Sequence, residues 1–289
     1  MNIFEKTPGP ILVFFGACSL SFGGLLVKSF EGATLWQILF WRSLFFISII
    51  SIYLSVSYKS KVFAKIYDSG VPGLFAGLVL GIGFFSYVFA MYNTTVANAN
   101  FIIQTQTLFL AIFGYFILKE KVSKLTICSI LLAICGVIIM VGSSLSPGQL
   151  SGNLMAFLMP ISFAVLIITV RKYPNVDMVP LQLIAGIIAM CIGYVVAGKI
   201  NISTHDIFIG FLAGFFQLGF GFILITIGAK STPSAVVGII MLTEAILGPI
   251  WAWIFINEIP SLIVLIGGSI VLFAVLIQFL NSIKNKNAA

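Results

Sequence analysis

The sequence predicts an all-α membrane protein with ten transmembrane helices arranged as two inverted five-helix repeats. Three observations lead there. Of its 289 residues, 60% are hydrophobic and only 8% charged, with a mean hydropathy of +1.18. The apolar residues are gathered into ten runs, and the two halves of the chain match each other in register. Soluble domains carry about 25% charged residues, so this composition excludes one.

The runs lie at approximately 10–28, 35–57, 71–92, 95–118, 124–143, 153–170, 178–198, 207–229, 233–256 and 261–281. Runs of about 18–24 residues, rising about 1.5 Å per residue, match a hydrocarbon core of about 30 Å and are read as helices. Barrel strands would be half as long and would alternate. The longest connection, Tyr58 to Gly70, leaves no room for a soluble domain. Any function is therefore expected inside the membrane, with the lipid bilayer as the first partner.

The net charge of +7 could suggest nucleic acid, but its placement argues otherwise. Lys6, Lys59, Lys61, Lys65, Lys119, Lys121, Lys124, Arg171, Lys172, Lys230, Lys284 and Lys286 fall on the side of the N-terminus, and only Lys28 and Lys199 on the other. This is a positive-inside pattern, which predicts a multi-pass plasma (inner) membrane protein with both termini cytoplasmic. The basicity reads as topology, and no nucleic-acid partner is expected. Cys18, Cys128, Cys135 and Cys191 all lie in apolar runs without metal-ligand or redox spacing, and are read as small core residues. "FGAC" before Ser19 is a poor lipoprotein box, so run 1 is expected to stay as an uncleaved first span.

Laying Glu120 on Glu258 sets an offset of 138 residues that holds without a gap from Leu74 on Leu212 to Ser123 on Ser261. Gly81, Gly83, Phe84, Thr94, Ala97 and Thr105 fall on Gly219, Gly221, Phe222, Thr232, Ala235 and Thr243. A looser match of "LSF" at Leu20–Phe22 with "ISF" at Ile161–Phe163 extends the repeat to runs 1 and 6. The halves are thus 1–148 and 149–289. Five helices is an odd number, so the second half must enter the membrane upside down relative to the first. Inverted repeats are characteristic of secondary transporters, whose substrate site lies near the midplane where the halves meet.

"SFGGLLVK" in run 1, "FWRS" in run 2, "GN" opening run 6 with "RK" closing it, and "TEAILGPIWAWIFINE" in run 9 resemble the EamA-type transporters of the drug/metabolite transporter superfamily. The resemblance covers essentially the whole chain. It implies a carrier of small metabolites, often an exporter of amino acids or related compounds. Where many members have Glu-Pro, this chain has Glu244-Ala245, with its proline later, at Pro249.

Glu244 stands eleven residues into run 9, where snorkelling to either surface is difficult. A charge at the bilayer centre costs about 2.5–3.5 kcal/mol or more unless it faces the bundle interior and finds a partner. It is read either as a group that binds a proton or a substrate ammonium, or as a buried structural partner of Arg42. Its repeat mate is Gln106, so the halves are electrically unequal at the centre. Arg42, about seven residues in from the outer end of run 2, could hold a carboxylate bidentately. It could equally neutralise Glu244 or reach the outer headgroups.

Run 4 begins in "NTTVANANFIIQTQT", the most polar stretch in any span. At 100° per residue, Asn93, Asn100, Gln104 and Thr107 fall within about 80° of one another, forming a stripe. Gln106 points about 120° from Asn100, so the stripe and the repeat nominate different faces. The stripe lines a cavity or makes interhelical hydrogen bonds. Glycines at four-residue spacing, Gly73, Gly77 and Gly81 in run 3 and Gly210 and Gly214 in run 8, mark close helix contacts. Trp251 falls within about 20° of Glu244 and reads either as an aromatic wall for an ammonium or as an interfacial belt residue. Ser123 and Ser261 resemble N-caps, with Glu120 and Glu258 just before them as end-of-helix structure. His205 is read as a solvated loop residue.

The expected substrate-binding residues are therefore Arg42, Asn100, Gln104, Glu244 and Trp251, for a small polar substrate moved by alternating access, with protons as a candidate coupling ion. No catalytic residue, metal or cofactor is expected: no P-loop, metal cluster or nucleophile–base pair occurs, so ATP-driven transport and intramembrane hydrolysis lack their parts. A non-transporting scaffold or receptor-like protein, with its central polar groups fully paired, and a narrow channel are the alternatives.

Overall fold

The computed structural model describes residues 7–119, 124–142, 147–232 and 234–286, and contains no strand among them. Each predicted run is helical. Run 1 is α1 (Gly9–Leu20) and α2 (Gly23–Lys28), run 2 is α3 (Leu35–Tyr58), and the connection after it is itself a 3₁₀ turn and a short α4 (Val62–Asp68). Run 3 is α5 (Gly70–Asn93), run 4 is α6 (Val96–Ile103) and α7 (Gln106–Leu118), and run 5 is α8 (Lys124–Gly142). In the second half, run 6 is α9 (Pro147–Ala156) and α10 (Leu158–Lys172), and run 7 is α11 (Leu181–Ala197). Run 8 is α12 (Thr204–Phe211), a π-helical segment Leu212–Phe220 and α13 (Gly221–Ala229). Run 9 is α14 (Ser234–Ile240) and α15 (Leu242–Ile256), and run 10 is α16 (Leu262–Lys286). Among the described residues, seven of these runs are long and apolar enough to cross a membrane; the apolar parts of runs 5, 7 and 10, at Ile127–Ile139, Leu181–Ala197 and Leu262–Ala274, are shorter.

The bundle keeps a large apolar core, buries its polar side chains within it and turns further apolar side chains outward, the arrangement a lipid solvent rewards. Arg42, Asn98, Asn100, Gln104, Gln106, Gln182, Gln217 and Glu244 are all buried, while Phe15, Val56, Phe75, Leu131, Val195 and Phe255 are exposed. Cys128, Cys135 and Cys191 also face outward, which corrects their reading as core residues; only Cys18 is partly covered. A free thiol is apolar enough to sit against lipid, so burial in an apolar run did not imply burial in the protein.

Helix contacts come in pairs exchanged between the halves. The packing of α1 on α13 is mirrored by that of α10 on α5, and the packing of α5 on α11 by that of α3 on the π segment; α8 pairs with α16 and α3 with α11. Lys119 and Asn257, related by the 138-residue offset, both end their helices in the left-handed conformation, at φ 60° and 54°. The glycines place these contacts. A Cβ on Gly9 would stand 2.5 Å from the carbonyl oxygen of Gly228, and one on Gly16 would stand 2.8 Å from that of Gly221, so α1 and α13 run antiparallel with backbones touching. Gly77 and Gly81 face α11, and Gly210 and Gly214 face α3.

Ser261 accepts from Val264 N at 3.3 Å, as an N-cap does. Glu120 and Ser123 lie outside the described residues. His205 is not isolated: its ring nitrogen stands 3.3 Å from Asp206, whose buried carboxylate accepts the backbone N–H groups of Glu31 and Gly32.

Candidate functional site

Runs 4 and 9 both lose their α-helical ladder near the middle, at positions the repeat equates. In run 4, Thr105, Thr107 and Leu108 donate three residues back, to Ile102, Gln104 and Thr105, and the Thr105 hydroxyl takes the Ile102 carbonyl at 2.7 Å. A threonine side chain competing for a backbone acceptor loosens a helix in this way. In run 9, Glu244 N donates to Met241 O at 3.0 Å. Gln106 and Glu244 thus each stand in the first turn of a new half-helix, where the backbone N–H groups favour acceptors and negative charge. The break needs no proline at Ala245.

A small cavity lies between these half-helices, with space for about one water molecule. Three repeat-related pairs line it together: Phe84 with Phe222, Ile103 with Met241, and Gln106 with Glu244. The cavity therefore lies where the two repeats meet. Phe84, Phe163 and Phe222 form one apolar wall by edge-to-face contacts, with Phe84 and Phe222 centroids 5.2 Å apart.

Arg42 and Glu244 both line the cavity, one from each half, at 2% and 4% exposure. No ion pair within 4.0 Å joins them. Arg42 instead donates from Nη2 to Gln217 Oε1 at 3.2 Å and lies over the Tyr87 ring, 4.8 Å from its centroid. Gln217 is fixed in turn by donating to Leu20 O at 3.2 Å. No hydrogen bond to the Glu244 carboxylate occurs among the described residues. The site therefore holds a buried guanidinium and a buried carboxyl group that face one space without touching.

The other expected residues stand elsewhere. Asn100 and Gln104 are buried but do not line this cavity. Asn100 packs against Gly248, with both side-chain polar atoms lacking a protein partner, and Gln104 accepts from Gln106 at 3.4 Å while its own amide nitrogen has no partner. The predicted stripe is not continuous: Asn93 closes α5 and bonds back to Phe89 O, and the break at Gln104–Thr105 interrupts the 100° steps beyond it. Trp251 donates to Ser21 Oγ at 3.0 Å and stacks on Phe22, 4.9 Å between centroids. It braces the interruption between α1 and α2 rather than lining the cavity. Asn100→Ala is expected to lower folded yield and thermal stability little, since neither side-chain polar atom of Asn100 has a protein hydrogen bond to lose; denaturation midpoints of the variant and the wild type check this.

Sequence reasoning missed Tyr87 and Gln217, which lie in runs whose other residues are almost all apolar. It also missed the reach of Glu258, which accepts the Val96 N–H at the start of α6 and lies 3.8 Å from Lys28 Nζ. Lys28 donates to Thr94 O at 2.8 Å. Glu258 thus caps a helix of the other half. Among the described residues, no group of three His, Cys, Asp or Glu side chains is placed to share a metal ion.

A family model, the EamA-like transporter family, matches the chain twice, over residues 7–142 and 147–280. An uncharacterized transporter of Clostridium kluyveri is 25% identical over 236 residues, covering 76% of this chain and 74% of its own. A crystal structure of a protein with 17% sequence identity superposes with a TM-score of 0.68, covering 94% of this chain and 97% of its own, and so shares the fold. Two consecutive matches, one to each half, account for the repeat read from the sequence and for the paired helix contacts: the chain belongs to the EamA-like transporter family.

Proposed function

We propose that the protein is a secondary transporter that exports a small, amino-acid-like metabolite by alternating access between its halves, 1–148 and 149–289, inserted in opposite orientations with ten membrane crossings. One observation carries this reading: Arg42 and Glu244, one from each half, are buried against a common cavity where the two repeats meet without forming an ion pair. A scaffold with no transport cycle would gain by pairing these two groups, because a buried ionisable group without an ionic partner is costly. A ligand carrying both charges satisfies each of them. The cavity is closed down to about one water, so the ligand enters only when the halves part, as in a carrier cycle.

Counterflow in proteoliposomes tests this directly. With labelled amino acids and nucleoside-type metabolites as the panel, exchange is expected for at least one zwitterion. Exchange of none of them, or a steady conductance in place of exchange, would overturn the reading. Both termini and the loop at Lys59–Lys65 are expected on the cytoplasmic side, following the lysine distribution. Reporter fusions check this; an external C-terminus would overturn the ten-crossing arrangement.

A further inference from the structure

The donors around Arg42 outnumber their acceptors. Arg42 Nε and the Tyr87 hydroxyl are both buried without a protein partner, and the side-chain acceptor bonded to Arg42 among the described residues, Gln217 Oε1, is already used by Nη2. Gln217 cannot turn to help, because its amide nitrogen is held by Leu20 O. Tyr87 and Gln217 converge on one backbone point: a Cβ on Gly23 would stand 2.2 Å from the Tyr87 hydroxyl and 2.8 Å from Gln217 Nε2. The glycine leaves the hydroxyl its place. Gln217 itself owes its position to the π-helical segment, a kind of irregularity found often at functional sites.

We propose that Arg42, Tyr87 and Gln217, packed against the bare Cα of Gly23, form a pocket for one carboxylate group. This deepens the transport reading and rests on it for the identity of the cargo. Two uncommitted donors, one of them charged, suit the two oxygens of a carboxylate, and charge-assisted hydrogen bonds of this kind are the strong ones. A neutral carboxamide offers one good acceptor and no charge. Phosphate brings a second negative charge into a cavity that also holds Glu244. The pocket therefore selects a single carboxylate with a cationic group beyond it, in the direction of Glu244 and Gln106. Gln217 is a positioning residue, fixing the guanidinium plane, while Arg42 and Tyr87 touch the ligand.

The test uses the purified full-length protein, with thermal denaturation read against the twenty common amino acids, acetate, their matched carboxamides and inorganic phosphate. Carboxylate probes are expected to raise Tm, and the amides and phosphate are not. Tyr87→Phe removes a hydroxyl with no protein partner, so basal Tm and yield are expected to stay at the wild-type level. Apparent affinity for the stabilising carboxylate is expected to fall about 10-fold or more in this variant, the scale of one hydrogen bond to a charged group. Gly23→Ala is expected to act in the same direction by displacing the hydroxyl. No response of the wild type to any carboxylate probe, an equal response to acid and amide, or an undiminished response in Tyr87→Phe would each overturn the pocket. Counterflow of a substrate with no preference for acid over amide would remove the pocket and leave transport standing; a carboxylate-specific Tm shift without any flux would do the reverse.

Discussion

Replacing Glu244 by glutamine is expected to leave the protein folded and to remove accumulation of the substrate. A contact ion pair with Arg42 would make the opposite case, since stranding a buried charge costs about 3–5 kcal/mol and shows as poor expression. The geometry removes that case: Arg42 is held by Gln217 and the Tyr87 ring, and no ion pair within 4.0 Å joins it to Glu244. Glutamine keeps the shape and removes a carboxyl group that has no hydrogen bond to lose among the described residues. The change in stability is therefore expected to stay within about 1–3 kcal/mol, the cost of leaving the new amide without a partner. Transport behaves otherwise, because a buried charge that meets a ligand charge contributes about 2–5 kcal/mol, or about 30-fold and upward in affinity. If Glu244 receives the ligand's ammonium, exchange and accumulation fall together, and removing the cationic group from the substrate has a similar effect. If it carries the coupling proton, accumulation is lost while exchange survives. Normal yield with wild-type exchange and accumulation in Glu244→Gln would refute a transport role for the residue.

Gly214→Ala is expected to be the most damaging single methyl group tested in the bundle. Its Cβ would stand 2.2 Å from the carbonyl oxygen of Arg42, 2.8 Å from Phe45 Cβ and 3.0 Å from Phe46 N. Two of these three are backbone atoms, so no side chain can swing aside; the π segment and α3 must separate. Overpacking of this kind costs about 1–3 kcal/mol. The separation begins at Arg42 itself, so the guanidinium moves away from Gln217 and transport falls along with Tm. Gly32→Ala is the control, since a Cβ there meets nothing closer than Asp206 Oδ2 at 4.0 Å and its effect is expected within about 0.5 kcal/mol. Denaturation midpoints and uptake of the two variants, measured together, check both the packing and its link to the site. Equal midpoints for the two would contradict the close contact of the π segment with α3.

Glu244 was legible from the chain because an ionisable group is conspicuous in an apolar run: the carboxylate near the middle of "MLTEAILGPIWAWIFINE" stands out from the sequence alone. Tyr87 and Gln217 were not legible. A tyrosine or glutamine in a span is common, and its value depends on which neighbour it meets across the bundle. The polar stripe failed for a local reason. A face counted at 100° per residue holds only while the helix is regular, and the 3₁₀ turn at Gln104–Thr105 rotates everything after it. The repeat survived that interruption, because an offset in sequence does not depend on helix phase. It pointed to Gln106, which does line the cavity.

The sequence by itself determined the membrane setting, the helix content, the two halves and the presence of one buried carboxylate, all of which follow from composition and periodicity along one dimension. The tertiary structure alone decided that Arg42 and Glu244 share a cavity without pairing, that Gln217 and Tyr87 dress the guanidinium, and that Trp251 braces α1 and α2 instead. Those are distances between runs that lie far apart in the chain. They are set by where glycines let backbones touch, as at Gly9 with Gly228 and Gly214 with Arg42, and by where the helical ladder slips to i→i+3 or widens to a π turn. Side-chain phase and helix separation are three-dimensional sums over the whole bundle, and no single run contains them.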